Sequence, residues 1–350
     1  CVKAIGELVK NYNCTAVLAT ATQSSLDRFF EPLVPKEITE SPAELYNFLR
    51  RTEIQRIDTP LTDAELAERI NAHEQVLCIV NTRKQAQQLF SMLQKGDGVF
   101  HLSTTMYPEH RTRILTEIRQ RLADNLPCRV VSTSMVEAGV DLDFPAVYRE
   151  RAGLDSIVQA AGRCNRNNKR PLDESIVYVF KSAEHTPPPA QAVFIDAFDI
   201  VAPKFEDISS LDAVKAYFDQ LFYNKGNSAL DSKGIINALN NGIKGFSIPF
   251  REIADQVSII EDDTQSVFCL REAPELEARL RAGERTRALF REAGRYAVSL
   301  RRREVQNMMK LGVIERVAEN DNEILLINEE YYNENYGVEL IPQVGMGLFL

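Results

Sequence analysis

The densest collection of side chains able to handle phosphate lies between Arg129 and Arg170. Its first part reads Val131-Ser132-Thr133-Ser134-Met135-Val136-Glu137-Ala138-Gly139-Val140-Asp141-Leu142-Asp143: apolar residues, a hydroxyl-rich loop, a glycine, then an acid. A buried parallel strand there would deliver its loop to the carboxyl edge of the sheet, where open α/β sheets bind ligands. Ser132, Thr133 and Ser134 then stand where hydroxyls and backbone N–H groups can hold a nucleic-acid phosphate. Gly139 supplies a backbone conformation that other residues resist. Asp141 could hold a ribose hydroxyl or order an arginine. The plain alternative is an ordinary βα loop.

The second part is Gln159-Ala160-Ala161-Gly162-Arg163-Cys164-Asn165-Arg166. On a helix, Gln159, Arg163 and Arg166 recur at i, i+4 and i+7 and share one face. Alanine and glycine beside them permit close packing or close ligand approach. Two arginine forks together suit phosphate. An arginine that meets a transferring phosphoryl group is worth roughly 10³–10⁵ in rate. The plain alternative is a solvated basic helix end.

These residues need a scaffold, and the hydrophobic pattern predicts one. Cys14–Thr20 reads as a short apolar strand, followed by a helix over 24–30. Pro32 and Pro35 punctuate a mixed segment to Pro60. Thr62 is a plausible N-cap for a helix to Ala72, with Asp63 and Glu65 in its first turn. A regular alternation follows: strands at Val76–Val80, Val99–Leu102, Arg129–Thr133, Ala146–Arg149 and Ser175–Phe180, and helices at Arg83–Gln94, Glu109–Ala123 and Leu154–Cys164. Short apolar strands alternating with helices indicate a doubly wound α/β domain with a parallel sheet covered on both faces. The alternation stops at Thr186–Ala190. Beyond it the pattern predicts helices at about 189–201, 210–223, 232–240 and 274–310, with short strands at Val257–Ile260 and Glu323–Ile327.

Composition narrows the class. The 350 residues are 44% hydrophobic and 26% charged, which is ordinary for a globular protein. No apolar run approaches the ~18 residues of a membrane span. The chain opens on Cys1 with no signal-like segment, so an upstream portion of a longer protein is expected. The six cysteines form no C-x-x-C pair and the four histidines are scattered, so neither a disulfide framework nor a metal site is expected. Reduced thiols fit a cytoplasmic setting. The net charge of −9 alone argues against a nucleic-acid binder. Charge acts locally, however, and Arg279 to Arg303 holds nine arginines against Glu284 and Glu292. Arg287, Arg291 and Arg295 would stripe one helix face, either as a DNA or partner track or as a solvated face paired with acids. Met308-Met309, Phe29-Phe30 and Tyr331-Tyr332 read as packing.

VVSTSMVEAGVDLDFP followed by QAAGRCNRNNKR resembles motifs V and VI of superfamily 2 helicases. The forms EAGVDLD and QAAGRCNR are most similar to the CRISPR-associated helicase-nuclease of type I systems. LATATQ at 18–23 resembles motif III and VLCIVNTRKQAQQL motif IV. The segment INEEYYNENYGVEL resembles that family's C-terminal stretch. The resemblance covers residues 1–181 and the tail. It implies the end of a first RecA-like domain at 1–35, a linker at 36–74, a second RecA-like lobe at 75–185, and a mainly helical C-terminal domain at 186–350.

By this resemblance Arg163 and Arg166 would meet the ATP γ-phosphate, with Arg166 as the finger. Gln159 would support them, and Gly139 and Asp141 would line the nucleotide. Thr82, Ser103, Thr133 and Ser134 would meet the DNA backbone, and Thr20 and Thr22 would couple two lobes. Implied partners are single-stranded DNA, an upstream helicase/nuclease half and a type I surveillance complex. The sequence holds no G-x-x-x-x-G-K-[ST] loop, no strand-borne D-E-x-x box for magnesium and no His-Asp nuclease cluster. ATP with magnesium would thus be held mainly by an upstream domain, and this chain alone is expected to hydrolyse ATP poorly or not at all. Another superfamily 2 helicase, or a non-catalytic module that binds DNA or the complex, are the other readings.

Overall fold

A computed structural model describes residues 2–20, 22, 25, 26, 29, 30, 33–229, 231–245, 247–257, 263–317 and 324–340. It contains a six-stranded parallel sheet. The strands are β1 (Glu53–Arg56), β2 (Gln75–Val80), β3 (Val99–Leu102), β4 (Cys128–Thr133), β5 (Ala146–Glu150) and β6 (Ile176–Phe180), in the order β1-β6-β5-β2-β4-β3. β2 and β5 are buried along their whole length, as expected of strands covered on both faces. Helices α1 (Val2–Asn11) and α2 (Pro42–Leu49) precede the sheet. Helices α3 (Asp63–Asn71), α4 (Arg83–Met92), α5 (Pro108–Ala123) and α6 (Leu154–Ala161) lie between its strands in the chain.

β1 falls in the segment read from sequence as linker and pairs in register with β6, Glu53 against Ile176. Residues 14–20 were expected to form a strand but are exposed and unassigned. A strand exists only through a pairing neighbour, and among the described residues none pairs with this segment. Of the expected helix over 24–30, residues 24, 27 and 28 lie outside the described residues and the other four are not in an α-helix; the expected strand at 257–260 lies outside them apart from Val257.

Contacts group the chain into two compact units, Cys1–Pro60 with Pro145–Lys181 and Thr186–Ile259, and Leu61–Phe144 with Ser182–His185 and Ile260–Leu350. The first holds β1, β5, β6 and α6, then α7 (Ala192–Val201), α8 (Leu211–Ala229), α9 (Ile235–Lys244) and α10 (Phe250–Gln256). Its core joins Leu154 and Ile157 of α6 to Phe198, Val201, Tyr217 and Leu221 of α7 and α8. Each such buried side chain contributes on the order of 1.5–3 kcal/mol.

The second unit holds β2, β3, β4 and α3 to α5, together with a second sheet of order β8-β7-β10-β9. Its strands are β7 (Thr264–Phe268), β8 (Ala297–Arg301), β9 (Ile314–Arg316) and β10 (Leu325–Ile327). Three helices accompany them: α11 (Pro274–Arg281), α12 (Arg287–Ala293) and α13 (Arg302–Lys310). A hairpin of β11 (Tyr332–Asn333) and β12 (Gly337–Val338) closes the described chain. Helices predominate after residue 186, but 274–310 is helix, helix, strand and helix rather than one helical stretch. Gly283, at φ 87°, stops α11. The alternating burial of Ala297–Arg301 marks a half-buried strand. Among the described residues, no helix is long and apolar enough to cross a membrane.

Candidate functional site

The first unit carries Gln159, Arg163 and Arg166, and it corrects how they are presented. α6 ends at Ala161 instead of running to Cys164. The Arg163 and Cys164 amides bond back to Ala160 O and Ala161 O at 2.9 Å, tightening the chain into a short-period turn. Asn165 then adopts φ 45°, the left-handed region, which asparagine tolerates better than most residues. The i, i+4, i+7 stripe therefore does not form, and the two arginines are borne on a turn. Gln159 remains on α6 and is half-buried.

That turn is held from inside. Asn165 is 0% exposed, and every polar group of its carboxamide is used. Its Nδ2 donates to Arg51 O at 2.9 Å and to Arg170 O at 2.8 Å. Its Oδ1 accepts from the amides of Lys169 (2.9 Å) and Arg170 (3.0 Å). Arg51 Nη1 donates to Arg166 O at 2.8 Å. The buried Cys164 thiol donates to Pro145 O at 3.3 Å, tying the turn to the approach to β5. Arg163 is 7% exposed and Arg166 half-buried.

The amino end of α6 is anchored as well. Arg149, fully buried on β5, donates to Ser156 Oγ at 3.0 Å, and Tyr217 Oη donates to Asp155 Oδ1 at 2.9 Å. Burial and the neighbouring Asp155 carboxylate keep the Tyr217 phenol protonated far above the ordinary range.

A cavity of about 370 Å³ adjoins the turn. Val158, Ala161 and Gly162 from the end of α6 share its wall with Thr22, Arg51 and Lys215. Thr22 is buried, and Thr20 Oγ1 donates to Thr22 O at 3.1 Å. The expected coupling residue Thr22 and the base of the arginine turn thus line one space. Tyr46 Oη donates to Asp207 Oδ2 at 2.8 Å on the same side. Burial is the main cause that pushes this phenol up to about 12.

The second unit carries the remaining candidates. Ser132 is fully buried, and its hydroxyl donates to Leu102 O at 2.8 Å, so it is not available to a ligand. Thr133 ends β4 buried, and Ser134, exposed, opens a 3₁₀ turn over Ser134–Val136 whose last residue is fully buried. Gly139 has φ 72°, the conformation expected of it, and Asp141 is exposed two residues on. Arg119 Nε donates to Asp141 O at 3.3 Å. Thr82 is the N-cap of α4, and its Oγ1 accepts the Gln85 amide at 3.1 Å.

Ser103 does not fit its expected contact with DNA. It is 0% exposed and belongs to an internal relay. Thr105 Oγ1 donates to Tyr336 O at 2.7 Å, so Ser103 donates to Thr105 (2.6 Å) and His101 Nε2 donates to Ser103 (2.9 Å). The relay runs toward the closing hairpin, which docks on the same region. Val338 N donates to Thr105 O at 2.8 Å, Gln87 Nε2 donates to Val338 O at 3.0 Å, and Tyr332 stacks on Tyr107 at 4.8 Å. A polar pair two residues apart after an apolar strand gave no sequence signal for this role.

The arginine-rich segment is also reshaped. α12 stops at Ala293, so Arg295 leaves the stripe and pairs with Glu109 at 2.7 Å. Arg279 pairs with Glu284 and Arg281 with Glu315, each at 2.8 Å. Arg287 and Arg291 remain exposed on α12. One group of metal-capable side chains also forms among the described residues: Asp63, Glu184 and His185. His185 Nε2 lies 2.7 Å from Asp63 Oδ2, and Glu184 accepts the Asp63 amide at 2.6 Å. These bonds brace the start of α3, where carboxylates are favoured by the helix dipole.

Residues 72–169 match the family model described as CRISPR-associated nuclease/helicase Cas3, C-terminal. A CRISPR-associated nuclease/helicase Cas3 of Methanothermobacter thermautotrophicus is 28% identical over 181 residues, 48% of this chain and 22% of that protein. One from Haloferax volcanii is 36% identical over 153 residues, 36% of this chain and 16% of that protein. The matched stretches therefore span less than a quarter of those relatives. Among solved structures, T. fusca Cas3 with AMPPNP aligns over 88% of this chain and 42% of its own, with TM-score 0.53 and 15% identity. T. fusca Cas3 with ATP gives TM-score 0.50 over 85% of this chain and 40% of its own, also at 15% identity. These two show likeness of fold.

Proposed function

The family model, the curated relatives and the solved structures support the C-terminal part of a Cas3 helicase, and on that premise we propose that this chain is the ATP-sensing portion of a motor that moves along single-stranded DNA. The observation that carries the reading is the arginine turn. Two guanidinium groups are mounted on a loop whose backbone is fixed by the buried carboxamide of Asn165. Catalysis of phosphoryl transfer rests on positioned charge, and a fixed turn positions better than a fraying helix end.

In this reading Arg166 is the finger on the γ-phosphate and Arg163 its companion, with Gln159 supporting both. Gly139 and Asp141 line the nucleotide. Thr82, Thr133 and Ser134 contact the DNA backbone, and Thr20 and Thr22 couple the ATP state to the strand. The turn's guanidinium donors fit a triphosphate. They are not ligands for magnesium, which takes oxygen ligands, so the metal belongs to a lobe supplied from upstream. When bound, ATP supplies the phosphoryl group whose developing charge the arginines meet. A nuclease half and a type I surveillance complex are the proposed partners, and foreign DNA the substrate.

The test is DNA-stimulated ATP hydrolysis by this chain combined with the triphosphate-gripping half. Arg166→Ala is expected to lower turnover by about 10³-fold or more. Unchanged turnover would remove the finger assignment. No hydrolysis by the unaltered pair would favour a module that binds DNA or the complex without catalysis.

A further inference from the structure

We infer that Arg51 is a positioning residue for Arg166, a role that rests on the motor reading above. Two hydrogen bonds join Arg51 to the turn. The Arg51 guanidinium donates to the Arg166 carbonyl at 2.8 Å, and the Arg51 carbonyl accepts from the Asn165 carboxamide at 2.9 Å. One residue thus fixes the backbone of the finger from its side chain and the residue before the finger from its main chain. The bond from the guanidinium is charge-assisted, roughly twice as strong as a neutral one.

Arg51 is itself placed by the sheet. It stands two residues before β1, whose first residue pairs with Ile176 and donates its amide to Ser175 O at 3.0 Å. The arginine turn is therefore referenced to the sheet edge through Arg51 and to α6 through Gly162. Arg50, its chain neighbour, is directed elsewhere, with its Nε 3.6 Å from Asp207 Oδ2. Arg51 also brings one more cation to a turn that already carries Arg163, Arg166, Lys169 and Arg170. Gathering like charges is unfavourable for folding alone, so Arg51 is held there by its two hydrogen bonds to the turn. Arg51 lines the same cavity as Thr22 and Gly162, so a change at Thr22 has a short route to the finger.

The experiment measures DNA-stimulated ATP hydrolysis by the complete motor for the unaltered protein, Arg51→Ala, Arg51→Lys, Arg166→Ala and the Arg51→Ala/Arg166→Ala double variant. A displacement of about 1 Å at a catalytic group costs up to about 10²-fold, so Arg51→Ala is expected to lower kcat about 10- to 100-fold with KM for ATP unchanged. Arg51→Lys, which keeps a charged donor, recovers part of that loss. The double variant is no slower than Arg166→Ala, because Arg51 acts only through Arg166. A raised KM with kcat intact, or a loss in the double variant equal to the product of the single losses, overturns the inference. Amide exchange at Lys169 and Arg170 in the same preparations separates this inference from the motor reading. Faster exchange in Arg51→Ala supports the bracing, and unchanged protection overturns it. If exchange responds while Arg166→Ala keeps full turnover, the finger assignment has failed and the bracing stands.

Discussion

At the scale of single residues, the site depends on groups whose conformation matters more than their charge. Asn165 turns the chain through the left-handed region, and its carboxamide makes four hydrogen bonds that tie Arg51, Lys169 and Arg170 together. Gly337 plays a comparable part at the other end of the chain. It has φ 80°, and a Cβ there would collide with the Thr105 carbonyl that also accepts the Val338 amide. Gly139 has a similar φ of 72° but open space around it. The two glycines should therefore respond differently. Gly139→Ala meets only the left-handed strain of about 1–2 kcal/mol. Gly337→Ala adds a clash with backbone, so its loss should exceed that of Gly139→Ala by about 1–3 kcal/mol. Urea midpoints of the two variants read this directly, and equal midpoints would mean that the hairpin is not seated on Thr105.

At the scale of elements, what could be read from sequence is what depends on local pattern. The buried parallel strands β2, β4, β5 and β6 announce themselves as short apolar runs. The start of α3 was legible too, because Thr62 and Glu65 form a reciprocal cap: Thr62 Oγ1 accepts the Glu65 amide at 3.2 Å and Glu65 Oε2 accepts the Thr62 amide at 2.8 Å. Thr62→Ala should lower stability by about 1 kcal/mol. Glu65→Ala in the Thr62→Ala background should then cost less than it does alone, since the box is already broken. Thermal melts of the four-member cycle test this. β1 stayed hidden because Glu53-Ile54-Gln55-Arg56 is short and polar, and only its pairing with β6 makes it a strand. The segment 274–310 hid its breaks because Arg, Glu, Ala and Leu favour helix throughout, while Gly283 and the alternating β8 act through geometry. The site was half legible for the same reason. Arg163 and Arg166 show by type, but their placement is decided by Asn165 and by Arg51, which is distant in sequence.

At the scale of the whole molecule, the histidines set a pH response that no single motif reveals. Burial pushes His101 down to about 3. Burial and Arg113 lower His110, and burial and Arg129 lower His73. The folded protein thus binds protons on these rings less readily than the unfolded chain does. Below the ordinary histidine value of 6.5, stability is lost as pH falls, and for His101 the loss continues toward about 3. A single histidine contributes a slope of at most about 1.4 kcal/mol per pH unit. The paired carboxylates act in the same direction but lower: Glu272, held down mainly by Arg113, begins to matter only near and below its ordinary 4.5. The interval from pH 6.5 to 5 therefore belongs to the histidines. Urea midpoints should fall steadily across it. His101→Gln, which keeps a donor for Ser103 and cannot titrate, should flatten the fall by up to about 1.4 kcal/mol per unit. A profile equally steep in His101→Gln would mean that His101 accepts a proton at Nδ1 inside the fold while Nε2 goes on donating to Ser103.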